Sequence, residues 1–457
     1  MNRPNIVFIF SDQQRYSALG CAGNSVIRTP AFDRLAREGV LFEQAFSSCP
    51  ICSPYRAQIL TGRYSHKNGV MDNEYALSDE QTTLAQSLKA VGYRTGYIGK
   101  WHLGYGPYTP EKRYGFDYMA ANNCDHQHDS IRYYENEAGP FPVDTWGPTG
   151  LTDLAIQFME PHKRKDNEAP FLLLMSWGPP HWPYDQYPEK HKVYEPEDVD
   201  LPPNVPEAMA SFARKEIADY YGNISALDEE MGRLMDWLET EGLRENTILC
   251  YSSDHGDHLS SHGYGKPSDQ WLHHSKRASK ATPYEESVHV PFILSYPKGV
   301  KAGRTSDVLF NSVDVMPTLL SLAGVEAPDG VQGTDLSHAV LGGEGPEPDS
   351  VYLQILGPGW PHRGDWVGFW RGLRTHRWTY ARWLSGDVWL FDRENDPFEM
   401  QNLAGSPEHK EIQAQLEQRL QQWIKDTDDP FETGERDPTT GMLRLGQRFT
   451  HEKWMND

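Results

Sequence analysis

Ile6-Val7-Phe8-Ile9-Phe10, running without a break into Ser11-Asp12-Gln13-Gln14-Arg15, is the stretch that decides the fold. A short, continuous apolar run that stops at a polar cluster reads as a strand buried on both faces of a parallel sheet. Four further runs repeat the pattern: Arg94 to Ile98, Phe171 to Ser176, Thr247 to Tyr251 and Pro291 to Ser295. Helical patterns separate them. Leu84, Leu88 and Val91 share one face, closed by Gly92; Ile217, Ile224, Leu227, Met231, Leu234 and Leu238 share a longer one; Val313 to Ala323 forms a third ahead of Gly324. Strands alternating with helices predict an α/β fold, a large, mostly parallel sheet flanked by helices.

The polar segment Gly342-Gly343-Glu344-Gly345-Pro346-Glu347-Pro348 is the best linker. It predicts a catalytic α/β domain over residues 1–345 and a smaller C-terminal α+β subdomain over 346–457. In the latter, Val351 to Ile355, Trp370 to Arg374, Trp378 to Arg382 and Val388 to Phe391 alternate as an antiparallel sheet would. A helix with Ile412, Leu416, Leu420 and Trp423 on one face follows. The tail from about Asp426 shows no period and is read as an arm or a partner contact, with a homo-oligomer left open.

A chain of 457 residues with 43 Lys and Arg against 65 Asp and Glu carries a net charge of −22. That balance argues against a nucleic acid or an anionic membrane as partner, so an anionic substrate needs a local cluster of cations. Five cysteines, Cys21, Cys49, Cys52, Cys124 and Cys250, are too few and too odd for a disulfide framework. Ile6 to Phe10 is too short for a signal-peptide core, and no run approaches the ~20 apolar residues of a membrane span. As written the chain reads as cytoplasmic; a trimmed signal peptide, hence a periplasmic or secreted protein, would leave the same sequence.

Ligands in open α/β sheets bind beyond the carboxyl ends of strands. Four of the predicted strands end there in reactive clusters: Ser11 to Arg15, Gly99-Lys100-Trp101-His102, Gly178-Pro179-Pro180-His181, and Ser253-Asp254-His255-Gly256-Asp257-His258. Asp12 with Asp254 and His255 makes a metal group, whose oxygens suit Ca²⁺ or Mg²⁺ and whose imidazole admits Mn²⁺ or Zn²⁺. Arg56, Lys100, His102, His181 and Lys280 would supply positive charge and proton transfer around a bound anion. His258, His262 and His273-His274 read as surface residues or as support for the site. Cys49-Pro50-Ile51-Cys52 admits a redox dithiol, half of a zinc site, or a buried cysteine beside a turn proline.

With these residues assembled, the chain resembles the formylglycine-dependent sulfatases of the alkaline phosphatase superfamily. Cys52-Ser53-Pro54-Tyr55-Arg56, continuing through Ala57 to Arg63, resembles their modification sequence, and Gly99 to Gly104 their second signature. Asp12, Pro180-His181, Ser253 to Gly256, Lys280 ahead of Tyr284 to Ser287, and Leu390-Phe391-Asp392 extend the likeness along nearly the whole chain. The resemblance implies an alkaline phosphatase-like fold and hydrolysis of a carbohydrate or aryl sulfate. It implies that a separate formylglycine-generating enzyme oxidises Cys52, and that Asp12, Gln13, Asp254, His255 and the hydrated residue 52 hold one divalent ion, Ca²⁺ ahead of Mg²⁺ or Mn²⁺. Arg56 would then hold the gem-diol, Lys100 and Lys280 the sulfate oxygens, His102 would take the hydroxyl proton, and His181 would protonate the leaving alcohol.

Gln13 stands where many members have a second aspartate, and His255 where asparagine is frequent, so the metal shell carries one negative charge fewer. Lys280 is assigned by its spacing to Tyr284, with Lys266 and Lys276, in what looks like an insertion, as alternatives. That insertion and Asn122 to Thr149, with His126, His128, Arg132 and Tyr133, are the expected substrate-recognition loops. The competing readings are a phosphonate monoester or phosphodiester hydrolase of the same superfamily, a thiol-disulfide protein built on Cys49 and Cys52, and a non-catalytic binder of sulfated glycans. The 14 Trp and 23 Tyr would suit sugar stacking, though core packing accounts for most of them.

Overall fold

A computed structural model describes residues 3–163, 169–263, 280–357, 359–360, 365–366, 368–438 and 441–448. At its centre is a ten-stranded sheet. Its strands are β1 (Asn5–Asp12), β2 (Val40–Phe42), β3 (Arg94–Lys100), β4 (Tyr118–Asn122), β5 (Arg132–Glu135), β6 (Ala138–Pro142), β7 (Phe171–Pro180), β8 (Thr247–Ser253), β9 (Phe292–Ser295) and β10 (Arg304–Ser306). Across the sheet they lie in the order β10-β2-β9-β8-β1-β7-β3-β4-β5-β6. The five strands from β8 to β4 run parallel. β9 is antiparallel to β8. The described part of the connection between them stays beyond the carboxyl end of β8, around the site, so the chain re-enters the sheet from that end.

The central strands are apolar on both faces because both are covered. Ile6, Phe8, Phe10, Leu172, Leu174 and Ile248 face one buried layer. It contains helices α2 (Cys52–Thr61), α3 (Leu84–Lys89) and α6 (Val315–Leu322). Val7, Ile9, Leu173, Met175, Leu249 and Tyr251 face the other. That layer holds α1 (Pro30–Arg37), α4 (Gly147–Met159) and α5 (Ala210–Thr240). Along β1 the assignment changes at every residue, the period of two that a strand imposes. In α5, Ile217, Ile224, Leu227, Met231, Leu234 and Leu238 are all buried, as their spacing predicts.

The expected linker, residues 342–348, is an exposed loop. Beyond it β11 (Val351–Ile355), β12 (Trp370–Arg374), β13 (Trp378–Trp383) and β14 (Val388–Asp392) form an antiparallel sheet in that order. Val351, Leu353, Ile355, Trp370 and Ala381 join the core beneath the large sheet. Tyr352, Leu373, Tyr380 and Leu390 face Leu416 and Leu420 of α7 (Lys410–Asp426), flanked by Ile412 and Trp423.

The tail corrects its expectation: over the described residues it is no free arm. Phe431, Met442 and Leu443 are buried, and Gln447–Arg448 pairs antiparallel with Tyr75–Ala76. Asp429 accepts two hydrogen bonds from Arg371, at 2.7 and 2.9 Å, in a fully buried ion pair. Isolated apolar residues and one ion pair leave no period in a sequence.

Candidate active site

Register brings the predicted clusters together. Ser11 lies opposite Ser253, Asp12 opposite Pro180, Gly99 opposite Ser176, and Lys100 opposite Asn122. Asp12, Lys100, His181 and the Asp254-His255 pair therefore leave the sheet from one edge. Two glycines allow the crowding: a Cβ at Gly99, where φ is 101°, would lie 2.0 Å from the Ser176 carbonyl oxygen, and one at Gly256 2.0 Å from that of Glu286. Facing this edge is the first residue of α2, Cys52. Every residue of that helix is buried, which is why it shows no amphipathic stripe.

Ligand atoms of Asp12, Cys52, Asp254 and His255 lie within 4.8 Å of one another. Cys52 Sγ is 3.3 Å from His255 Nε2 and 3.8 Å from Asp12 Oδ1. His255 Nδ1 is 2.9 Å from the Gly256 carbonyl oxygen; a carbonyl only accepts, so Nδ1 donates there and Nε2 is the ring nitrogen turned toward Cys52. Gln13 completes the group from a left-handed backbone, φ 72°. Its Nε2 donates to Asp257 Oδ2 (2.6 Å), which turns Oε1 inward. The Lys280 ammonium occupies a cation's place among these donors, 3.1 Å from Gln13 Oε1, 3.1 Å from Cys52 Sγ and 3.0 Å from His255 Nε2. Two carboxylates, an amide oxygen and an imidazole fit a divalent cation of the Ca²⁺, Mg²⁺ or Mn²⁺ kind.

Arg56 ties the group to the sheet. Its Nη2 donates to Asp12 Oδ2 (3.2 Å) and Asp254 Oδ2 (3.1 Å), and its Nη1 to Ser176 Oγ (2.7 Å) and the Lys100 carbonyl. Lys100 Nζ donates to Asp12 Oδ2 at 2.6 Å. Three buried cations thus face two buried carboxylates, a local positive balance in an acidic chain. Burial alone would raise the Asp12 carboxyl, but the ammonium groups of Lys100 and Lys280 and the Arg56 guanidinium hold it well below the usual carboxylate range. Burial and Asp12 would likewise raise the Cys52 thiol, yet Lys100, Lys280 and His255 outweigh them and hold it well below an ordinary thiol. Cys49 has no such company, and burial pushes its thiol up. Geometry and charge single out Cys52, and the apparent CxxC pair is two unlike thiols.

The two remaining histidines are neutral for the same cause. Burial, with Lys100 nearby and against an opposing pull from Cys124, takes His102 down to about 4. Burial and the neighbouring His126 hold His181 well below 6.5. His102, like Gln13, has a left-handed backbone, φ 57°, and Ser53 Oγ donates to its carbonyl at 2.5 Å. Such angles cost on the order of 1–3 kcal/mol and collect at functional sites.

Sequence reasoning missed Ser176, Tyr97 and Cys124. Ser176 and Tyr97 read as ordinary strand residues, and Cys124 lies beside His102 with nothing local to announce it. His258 and His262 are not surface residues: His258 bonds Thr282 (2.8 Å) and the His262 ring stacks on Tyr284 at 3.7 Å. Lys266, Lys276 and His273-His274 lie outside the described residues. The expected recognition loop is a β5–β6 hairpin with His126 against His181, ring centroids 4.3 Å apart.

Comparison with known proteins agrees with this architecture. The family model described as Sulfatase matches residues 4–325, and that of the N-sulphoglucosamine sulphohydrolase C-terminal region matches 274–426. An ulvan-active sulfatase of Formosa agariphila is 36% identical over 442 residues, 94% of this chain and 83% of that protein. An N-acetylglucosamine-6-O-sulfatase of Bacteroides thetaiotaomicron is 29% identical, across 98% of this chain and 90% of its own. A protein solved with its substrate D-glucosamine-2-N,6-O-disulfate superposes with a TM-score of 0.79 at 27% identity, covering 94% of this chain and all of that one (100%). With the family model matching residues 4–325 and a relative 36% identical over 94% of this chain, the chain belongs to the sulfatase family of the alkaline phosphatase superfamily.

Proposed function

We propose that this sulfatase hydrolyses sulfate monoesters of saccharides, with residue 52 in its formylglycine form as nucleophile. A divalent cation, Ca²⁺ ahead of Mg²⁺ or Mn²⁺, would be held by Asp12, Gln13, Asp254, His255 and residue 52. One observation carries the reading: four ligand atoms within 4.8 Å at the start of a buried helix, ringed by Arg56, Lys100 and Lys280. The saccharide class is supported by the names of the relatives, an ulvan-active sulfatase, an N-acetylglucosamine-6-O-sulfatase and a protein bound to a glucosamine disulfate.

The bound cation would lower the pKa of the residue 52 nucleophile and screen the sulfuryl charge. Lys100 and Lys280 hold the sulfate oxygens, and Arg56 holds residue 52 against the Asp12 and Asp254 carboxylates. A hydroxyl of the hydrated aldehyde loses its proton to solvent and forms the new bond to sulfur as the ester bond breaks, and His181, having taken up a proton from solvent, delivers it to the leaving alcohol oxygen. His102 then takes the proton of the second hydroxyl. The carbonyl re-forms, its carbon–oxygen bond to sulfate breaks, and sulfate departs without water attacking sulfur.

The test is mass spectrometry of the peptide containing residue 52, in protein made alongside a formylglycine-generating enzyme. Aldehyde or its hydrate is expected, and thiol throughout would overturn the reading. Gln13 in the cation set favours one alternative, a phosphonate monoester or phosphodiester hydrolase. Aryl sulfate turned over faster than aryl phosphonate is the expected result, and the reverse order selects the alternative.

A further inference from the structure

Resting on the reading of the substrate as a saccharide, we propose that the tip of the β13–β14 hairpin and the loop after Lys280 enclose a second binding site, which holds an uncharged sugar ring of the chain that bears the sulfate. Between them lies a cleft of about 750 Å³, within the ~300–1,000 Å³ of sites that hold small organic ligands. Phe369, Trp383 and Trp389 give it an apolar wall, Ser385 and Asp387 supply polar atoms, and Thr282 closes it on the catalytic side. A flat apolar surface beside a few hydroxyl and carboxylate oxygens matches a sugar, whose ring presents C–H groups on its faces and hydroxyls at its rim.

Strand pairing builds the aromatic wall. Trp370 lies opposite Trp383, and Ala381 opposite Trp389, so Trp370, Trp383 and Trp389 share one face of the C-terminal sheet. The other face packs on α7. Trp370 is buried, while Trp383 and Trp389 are half-buried at the hairpin tip with ring centroids 4.5 Å apart. Tyr284, from the loop after Lys280, has its ring 4.7 Å from that of Trp389 and stacks on His262 at 3.7 Å. The turn is fixed as well: the Trp383 N–H donates to the Asp387 carbonyl at 2.8 Å, and Ser385 Oγ donates to Asp387 Oδ2 at 2.8 Å. Rings and turn that hold one another in place form the surface before a ligand arrives, which lowers the cost of binding.

The cleft adjoins the reaction centre. Thr282 follows Lys280 by two residues, so their Cα atoms are at most about 7 Å apart. Lys280 Nζ reaches Cys52 Sγ at 3.1 Å. Trp370 Nε1 pins the residue between by donating to the Ala281 carbonyl at 3.0 Å, and Thr282 Oγ1 lies 2.8 Å from His258 Nε2. Charge then decides which sugar fits. Arg56, Lys100 and Lys280 surround the sulfate position, whereas Asp387 is the only charged side chain among the described residues that line the cleft. Arg436 lies against the Phe369 ring, 5.0 Å from its centroid, with N–H groups committed to the Gly441 and Phe431 carbonyls. A second sulfate or a uronate would meet the Asp387 carboxylate with no lining cation among the described residues to offset it; an uncharged ring meets no such repulsion.

The test compares 4-nitrophenyl sulfate, the free 6-sulfates of N-acetylglucosamine and N-acetylgalactosamine, and trisaccharides that carry one of these sugars at an end, with the other two rings either unsulfated or sulfated. For the sugar that is desulfated, the trisaccharide with unsulfated neighbours should exceed the free monosaccharide by on the order of tenfold in kcat/KM, the scale of one aromatic contact. Trp389→Ala should remove that advantage while leaving 4-nitrophenyl sulfate and the monosaccharide unchanged, and Trp389→Tyr, which keeps a flat ring, should retain most of it. Asp387→Lys, in the exposed turn, should raise kcat/KM for the trisaccharide with sulfated neighbours by about tenfold relative to the unsulfated one. The site is overturned if the wild type shows no trisaccharide advantage, if Trp389→Ala lowers monosaccharide and trisaccharide alike, or if Asp387→Lys leaves the preference between neighbours unchanged. Turnover of 4-nitrophenyl sulfate with none of the saccharides overturns instead the saccharide reading on which the site rests, so the two failures are distinguishable.

Discussion

Gln13 shows how much one side chain depends on its neighbours. An amide has an oxygen and a nitrogen of nearly equal shape, and only a committed partner decides which faces inward. Asp257 is that partner: its Oδ2 accepts 2.6 Å hydrogen bonds from Gln13 Nε2 and from the Tyr184 hydroxyl. Asp257→Ala should free the amide and raise the Kd for Ca²⁺ by about tenfold or more, the usual effect of removing a group that orients a ligand. Titration calorimetry would read it, and an unchanged Kd would remove Gln13 from the cation set. Arg56 is equally exacting, because its planar fork reaches Asp12, Asp254 and Ser176 at once. A lysine supplies the charge without the fork. Arg56→Lys should therefore cost on the order of a hundredfold in kcat/KM while leaving the circular dichroism spectrum intact. Activity near wild type would refute that account. Asp12, Lys100, His181 and Asp254 could be placed along one edge because each sits at, or one residue past, the carboxyl end of a strand. Ser176 was not legible in this way, since its bond from Arg56 is set by the packing of α2 on the sheet rather than by spacing along the chain.

At the scale of elements, the parallel strands were legible because burial on both faces forces unbroken apolar runs, as in Ile6 to Phe10. The β5–β6 hairpin escaped notice for the opposite reason: it lies at the sheet edge with β6 exposed throughout, so no core pattern marks it. The turn after β8 carries a consequence for acid stability. Burial takes His258 down to about 3 and, in the loop after β4, His128 to about 4, both from an ordinary 6.5. These groups stay neutral when folded and take up protons when unfolded, so their contribution is fully present above pH 6.5. It is lost as pH falls toward 4 and then 3, by up to about 1.4 kcal/mol per pH unit for each histidine. His258→Gln should unfold at a lower denaturant midpoint at pH 7 and show a shallower decline of that midpoint between pH 6.5 and 4. Parallel declines in variant and wild type would show that His258 does not titrate on unfolding.

Across the whole molecule, the C-terminal sheet is part of the core that supports the site. Val351, Leu353, Ile355 and Trp370 share one buried cluster with Ile6 and Phe8, and Trp370 Nε1 donates to the carbonyl of Ala281, the residue after Lys280. Adjacent to Trp370, Arg371 pairs with Asp429 from the tail, and the Tyr352 hydroxyl donates to the same carboxylate at 2.8 Å. A buried pair of this kind adds little over an apolar pair of the same shape, yet removing one partner strands a charge. Arg371→Met should accordingly cost about 3–5 kcal/mol, with Asp429 left uncompensated in the core. The double variant Arg371→Met with Asp429→Leu should recover much of that loss, because no buried charge remains. Denaturant unfolding followed by tryptophan fluorescence measures both, with turnover of an aryl sulfate as a second readout. If the tail were the loose arm its composition suggests, Arg371→Met would shift the midpoint scarcely at all. If the pair stabilised chiefly by its own attraction, the double variant would be as unstable as the single one. Recovery in the double variant is the outcome that identifies the cost as desolvation of a stranded carboxylate, and the tail as a clamp on the strand next to the loop that carries Lys280.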